Sequence, residues 1–211
     1  MGRYSLGGAT GDINATTVTV TDNESTDESN ALVFVADADV DGGDVGLESD
    51  GTITYNPSTG TVTATELALA GSVHFDSSPA DETVSGITAT FTAGEDLVRG
   101  EVVYFKASDS KLWKAVATAS GTMPVLAMAA ADISADATGV FLLHGFLQDN
   151  GTFPSYTVGA TVYAPEAETS SQNVPEEAAP ESDGDFVQVL GFAVTANSLY
   201  FNPSNDVIEH A

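Results

Sequence analysis

The chain has 211 residues, which is room for one good-sized domain or two small ones. It carries 31 Asp and Glu against 5 Lys and Arg, a formal net charge of −26, and 42% of it is hydrophobic. So few basic residues exclude a nucleic-acid-binding surface, and the hydrophobic fraction excludes a wholly disordered chain. The absence of cysteine excludes disulfides, cysteine-ligated metal sites and thiol nucleophiles.

The acidic residues are spread along the whole chain rather than gathered in one tail. In dilute buffer such a charge repels itself and destabilises the compact state. At about 1 M salt the Debye length falls to about 3 Å, and most of the repulsion is screened. The composition therefore predicts a protein adapted to high salt, with an ordinary acidic protein kept soluble by its charge as the alternative.

The N-terminal sequence lacks the apolar core of a signal peptide. The longest apolar stretches, 125–131 and 140–147, are far shorter than a membrane-spanning helix requires. We therefore expect synthesis in the cytoplasm without a secretion signal, and no membrane insertion.

Short apolar runs bounded by Gly, Asp, Asn and Pro predict an all-β fold. Residues 1–30 are expected to form an extended N-terminal arm, because this glycine-rich and polar segment can bury little. Its one candidate strand, 16–21, has valines on one face and threonines on the other, and needs a partner to be stable.

Residues 31–92 are predicted to be a β-rich shaft or base region. A hairpin is expected around the turn 56–60, because Pro57 suits the second turn position and Gly60 the last. The region has few large apolar residues, so either it packs on the next region or identical chains supply the missing core. Its strands are expected at 32–35, 52–55, 61–65, 73–75 and 87–91.

Residues 93–211 carry the core and are predicted to form a small C-terminal β-barrel or sandwich. The acidic segment 164–185 contains three prolines and is expected to be a long loop inside this domain. A linker is the alternative, but the residues that follow are too few to fold alone. Strands are expected at 97–107, 111–117, 124–127, 139–147, 160–163, 186–193 and 198–201.

One local motif has the spacing of a metal site. Asp37, Asp39, Asp41 and Glu48 fit the calcium loop of an EF-hand, in which alternating carboxylates converge on a hard cation. However, Asp44 stands where an apolar residue is expected, and the flanks look like strands rather than helices. The alternatives are therefore a calcium site and an acidic surface hairpin, and the sequence indicates no other cofactor.

Four of the five basic residues, Arg99, Lys106, Lys111 and Lys114, fall in one predicted hairpin. In an anionic protein, such a cluster could be a docking patch that meets the carboxylates of a neighbour. It could equally be one face of a strand pair that is balanced by nearby acids.

No nucleophile, phosphate-binding or zinc motif is present, so we expect no enzymatic activity. A glycosidase needs only two carboxylates. With one Trp in the chain, the sequence shows no aromatic-rich groove for a glycan, so a glycan-cleaving enzyme is not favoured.

Several segments resemble structural proteins of tailed viruses. Segments 11–20 and 53–64 are similar to sequences that recur in tail fibres and head fibres. The C-terminal region resembles small β-domains of phage capsid decoration and fibre proteins. The segments that carry this second resemblance are 100–105, 112–115, 158–163, 187–193 and 200–203.

The resemblance implies a virion surface structural protein: a capsid decoration protein, turret or head fibre. Together with the acidity, it suggests a tailed virus of a halophilic archaeon. Such a protein would form a homo-oligomer, with a trimer favoured, and attach to the major capsid protein or another virion protein. The alternatives are a receptor-binding tail fibre and a calcium-dependent cell-surface or S-layer-associated module, which would need a secretion signal.

Overall fold

The computed structural model describes residues 26–35, 47–166 and 173–211. Within these ranges the chain is all-β, with thirteen strands and one short 3-10 turn at Ser120–Thr122. The predicted fold class is therefore confirmed. The chain divides into two compact units at residue 72, and most of the predicted N-terminal arm lies outside the described residues.

The first unit contains an antiparallel three-stranded sheet in the order β1-β2-β3. Its strands are β1 Asn30–Val35, β2 Leu47–Asn56 and β3 Thr61–Thr63. The predicted turn joins β2 to β3. The Asn56 side-chain oxygen accepts hydrogen bonds from the backbone N–H groups of residues 58 and 59, and Gly60 has a φ of 66°.

The second unit holds the remaining ten strands. They are β4 Thr83–Thr92, β5 Val102–Lys106, β6 Lys111–Lys114, β7 Ala127–Ala129, β8 Thr138–Gln148, β9 Thr161–Tyr163, β10 Phe186–Val187, β11 Val189–Thr195, β12 Ser198–Phe201 and β13 Ile208–Glu209. Eight of them form one sheet in the order β6-β5-β7-β8-β12-β11-β9, with β4 also paired to β8, and the sheet curls into a half-barrel. Strands β10 and β13 pair separately.

Strand β8 is the centre of the large sheet. One edge pairs with β4 over ten residue pairs, whereas the other edge is shared by two strands. There β7 lies opposite Phe141 and Leu142, and β12 lies opposite residues 145–148. Leu143 falls between the two partners and opposite a bulge in the β4 pairing. The sheet therefore divides into two lobes at residues 143 and 144.

Three glycines and one phenylalanine are paired across four strands at the level where the sheet divides. Gly86 pairs with Gly145, which pairs with Phe201, which pairs with Gly191. A Cβ on any of the three glycines would collide with a backbone carbonyl of the adjacent strand. Gly145 and Gly191 also have φ values of 141° and 140°, which disfavour other residues. The glycines let the strands approach closely while Phe201 fills the inner side.

The core of the second unit consists of two clusters of buried side chains, which lie on opposite faces of the sheet at β5, β7 and the first half of β8. One cluster contains Leu142, Leu147, Leu190 and Phe201, and a second cluster surrounds Phe141. All five side chains are buried. On β12, Leu199 and Phe201 are buried and Tyr200 between them is half-buried, because successive side chains point to opposite faces of the sheet.

Some strand predictions need correction. Residues 73–75 are not a strand: they pair with no strand among the described residues, and Val73 is exposed. The strand expected at 124–127 begins only at its last residue, because the backbone N–H and carbonyl of Val125 bond to the side-chain amide of Gln188 rather than to a strand. The C-terminal β13 was not predicted at all.

Strand β4, which the sequence pattern places in the region 31–92, pairs along its length with β8 in the second unit. The described part of the acidic segment also belongs to this unit. Asn173, Val174 and Pro175 are buried, and Glu176 pairs with Tyr163. These contacts match a long loop inside a domain rather than a linker.

Within the described ranges, no helix is long and apolar enough to cross a membrane.

Candidate functional site

The predicted calcium loop lies mostly outside the described residues. Asp37, Asp39 and Asp41 are not described, and the backbone of Glu48 pairs with Phe34 in the first unit. In the part of the chain that the structure describes, no three His, Asp or Glu side chains are grouped to hold a metal ion. Calcium binding stays a prediction.

The basic residues of the predicted docking patch each have a partner within the chain. Lys106 and Lys111 face each other in the β5–β6 hairpin. The Nζ of Lys106 lies 3.9 Å from the centroid of the Trp113 ring, and Lys111 forms an ion pair with Asp136. Docking on these lysines would require a partner's carboxylates to compete with contacts that already exist.

Lys114 has its partner inside the protein. Its Nζ lies 3.2 Å from the Oε1 of Glu101, which is fully buried. Glu101 also accepts hydrogen bonds from the N–H groups of Val98 and Asn173, at 2.8 and 3.0 Å. A buried carboxylate requires such partners, and Glu101, which Lys114 neutralises, ties the loop at residue 173 to the sheet.

Arg99 lies in the turn before β5, and its partners differ from those of the three lysines on β5 and β6. Its Nη1 donates to the Oδ2 of buried Asp149 at 2.9 Å, and its Nη2 lies 3.5 Å from Glu82. Burial alone would raise the pKa of Asp149. Hydrogen bonds from Thr152, Gly151 and Arg99 outweigh burial and lower it. Arg99 therefore joins the end of β8 to the turn before β5.

A different surface emerges from the strand pairing of the second unit. Five residues align at one level of the sheet: Ser85 on β4, Phe146 on β8, Tyr200 on β12, Phe192 on β11 and Thr161 on β9. We call these five residues the aromatic row. Directly paired residues of a sheet project from the same face, so the row forms a continuous strip across five strands.

The aromatic rings of the row contact one another and face away from the core. The ring centroids of Phe146 and Phe192 lie 5.0 and 5.1 Å from that of Tyr200. Leu199 and Phe201, the neighbours of Tyr200 on β12, are both buried. Phe192 is 45% exposed, whereas Phe146 and Tyr200 are half-buried. The row is thus an ordered outer surface with one prominent ring.

His144 fixes Tyr200 from the side. The Nδ1 of His144 lies 3.2 Å from the Oδ1 of Asn202, and its Nε2 lies 3.1 Å from the Tyr200 hydroxyl. The imidazole ring is thus held between the Asn202 side chain and the Tyr200 hydroxyl. The ring of Phe75 packs edge-on against His144, with centroids 6.1 Å apart. These contacts hold the side chains beside the row in place.

A half-open cavity of about 340 Å³ lies beside His144, where the two lobes of the sheet separate. Its polar wall is formed by His144, Gln188, Asn202, Ser204 and Asn205. The remaining lining residues are prolines, valine and leucines. None of the residues that line this cavity in the described chain is charged.

Gln188 closes the inner end of the cavity. Its Oε1 accepts from the Val125 N–H at 2.7 Å, and its Nε2 donates to the carbonyls of Val125 and Ser204 at 3.1 and 2.8 Å. The side-chain amide therefore bonds both the backbone N–H and the carbonyl of Val125, as the backbone of a neighbouring strand would. It holds the two lobes together at the point where the ladder is interrupted.

A second cavity of about 350 Å³ lies beside Tyr156 and is lined by Glu176 and Glu177. The Tyr156 hydroxyl donates to the Pro175 carbonyl at 2.7 Å, and burial raises the pKa of this tyrosine. Burial also raises the pKa of Glu176, to which the nearby charge of Glu166 adds. These contacts fasten the acidic loop to the sheet.

Sequence reasoning missed the aromatic row and found no aromatic-rich surface. The row's three rings come from three separate strands and are 54 positions apart at their extremes. Only the register of the ladder brings them together. The available signal was His144, which interrupts an apolar strand at the position where the sheet divides.

No protein-family description matches the chain, and no curated protein shows significant similarity to it.

Proposed function

We propose that this protein is a non-catalytic structural protein that assembles with copies of itself on the outer surface of a tailed-virus particle, in a high-salt environment. One observation carries the assembly: in the first unit, none of the side chains described at 26–32 and 51–72 is buried. A sheet needs an apolar face covered by something to be stable, and the described part of this unit does not cover its own.

The first unit also presents apolar side chains to solvent. Tyr55 pairs with Val62 across the β2–β3 hairpin, and both are exposed. After the hairpin, Leu67 is 75% exposed and Leu69 is 52% exposed. Exposed apolar clusters on an otherwise acidic protein mark surfaces of association. Identical chains are the simplest partner, because a symmetric oligomer can build one shared core from several small sheets.

The charge favours assembly in brine. Copies that each carry a formal net charge of −26 repel one another in dilute buffer, and screening at about 1 M salt removes most of that repulsion. The likeness of segments 53–64 and 187–193 to viral fibre and capsid decoration proteins supports the virion surface as the place of assembly. There the first unit would contact the major capsid protein or neighbouring copies, and a trimer is the favoured state.

Light scattering at high salt tests the assembly. We expect a discrete oligomer for the wild type and a lower mass for a Leu67→Asp, Leu69→Asp double variant, because two charges would enter the shared core. Ile208→Asp is the matched control, since Ile208 is 66% exposed but lies in the second unit. A monomeric wild type at every salt concentration contradicts self-assembly.

Location is tested separately. Antibody against this protein should decorate the capsid in negative-stain images of virions from a high-salt host. Labelling confined to tail tips would favour a receptor-binding tail fibre. Absence of label from purified particles would overturn the virion proposal.

A further inference from the structure

We propose that the outer face of the second unit binds a linear neutral glycan, which lies along the aromatic row and places one end in the cavity beside His144. This activity goes beyond assembly and uses a different unit of the chain. The ligand class follows from four properties of the surface: its chemistry, its shape, its lack of charge and its rigidity.

The chemistry of the surface matches that of a sugar. The C–H faces of a sugar ring stack on aromatic faces, and its hydroxyl groups need neutral donors and acceptors. The row offers three rings between the hydroxyl residues Ser85 and Thr161. The cavity adds the side chain of Asn202, whose Nδ2 makes no hydrogen bond to any residue in the described ranges.

The shape of the row suits a chain-like ligand. Adjacent strands lie about 4.8 Å apart, so five strands give a strip about 19 Å long and one side chain wide. That area is well below the roughly 800 Å² per partner that a stable protein interface buries. A second copy of the protein would need a larger surface than this strip, whereas an extended oligosaccharide would not.

The charge distribution excludes anionic ligands. None of the five residues of the aromatic row is charged, and neither are the described residues that line the cavity. The chain as a whole carries a net charge of −26, which repels sulfated or uronic-acid glycans unless basic residues are nearby. A neutral glycan approaches without this penalty, at low or high salt.

The rings are held in position before a ligand arrives. Tyr200 is fixed by its hydrogen bond to His144, which is itself fixed by Asn202. The row stands on paired strands rather than on loops. Side chains that are already ordered lose little entropy on binding, so a modest contact area can still give measurable affinity.

Calorimetric titration with neutral cello- and malto-oligosaccharides tests the proposal, with a sulfated oligosaccharide as the anionic comparison. The Phe192→Ser variant should bind the neutral ligand at least about tenfold more weakly, because it lacks a stacking ring. Phe105→Ser is the matched control. Phe105 is also 45% exposed but lies on β5, outside the row. Asn202→Ala should weaken binding as well, through the cavity.

The outcomes separate this proposal from self-assembly. Binding that is lost in Phe192→Ser and kept in Phe105→Ser, at unchanged oligomer mass, supports a glycan site. The proposal is overturned if neither neutral series binds, if the sulfated ligand binds more tightly, or if Phe192→Ser leaves affinity unchanged. A fall in oligomer mass with no effect on glycan binding would instead assign the row to a protein contact. Far-UV circular dichroism of each variant checks that the sheet remains folded.

Discussion

At the scale of single residues, two of the five basic residues pair with carboxylates inside the protein. Lys114 and Arg99 pair with the buried carboxylates of Glu101 and Asp149. An unpaired buried charge is strongly destabilising, so these pairs are required once the carboxylates are inside. Each of the 5 basic residues has many possible partners among the 31 acidic residues, and these two pair with carboxylates that are buried.

Asp149 gives the fold a pH dependence of known sign. Its folded-state pKa is lowered by hydrogen bonds, so its contribution to stability is present above the ordinary Asp pKa of about 3.9 and is lost as pH falls through the folded value. We expect Asp149→Asn to lower the free energy of unfolding by about 1 to 2 kcal/mol at neutral pH. The difference from wild type should shrink below about pH 4.

Urea unfolding at fixed salt and a series of pH values measures this effect. Asp136→Asn is the control, because Asp136 is exposed and its ion pair with Lys111 should contribute little. An Asp149→Asn deficit that stays constant from neutral to acidic pH would show that the charge of Asp149 is not what stabilises the fold.

At the scale of elements, the close approach of adjacent strands depends on Gly86, Gly145 and Gly191. Gly86 has no unusual φ, but a Cβ there would meet the backbone of His144 and Gly145 on β8. Backbone atoms cannot turn aside as a flexible side chain can. We expect Gly86→Ala to lower the free energy of unfolding by at least about 2 kcal/mol.

Gly121→Ala is the control for this substitution, because nothing lies within 4 Å of its added Cβ and its φ is ordinary. Chemical denaturation of both variants gives the comparison. Equal stability of Gly86→Ala and wild type would mean that β4 and β8 can separate without cost, contrary to the close pairing of the two strands.

At the scale of the whole molecule, the net charge of −26 sets the conditions for folding. Raising salt from about 0.1 M to about 1 M shortens the Debye length from about 10 to about 3 Å. We therefore expect the thermal midpoint to rise steadily with NaCl or KCl. Sucrose at matched water activity is the control, since it does not screen charge. A midpoint that does not respond to salt would contradict adaptation to brine.

The sequence predicted much of the fold because its strands carry local signals. Asn56 to Gly60 specify a turn by their own chemistry, and the hairpin is present. The prediction was wrong for residues 73–75, where a short apolar run has no paired strand among the described residues. It missed β13, whose two residues pair only because β10 lies beside them. Short runs depend on partners that are distant in sequence.

The sequence by itself determined the all-β fold, the acidity, the turn at 56–60 and the existence of a core after residue 93, since these follow from composition and local patterns. Only the tertiary structure decided which residues share a face. Phe146, Phe192 and Tyr200 form one row because the β8, β11 and β12 registers align them. A shift of one residue in any ladder would turn its side chains to the other face. For that reason no local pattern could have predicted the candidate glycan surface.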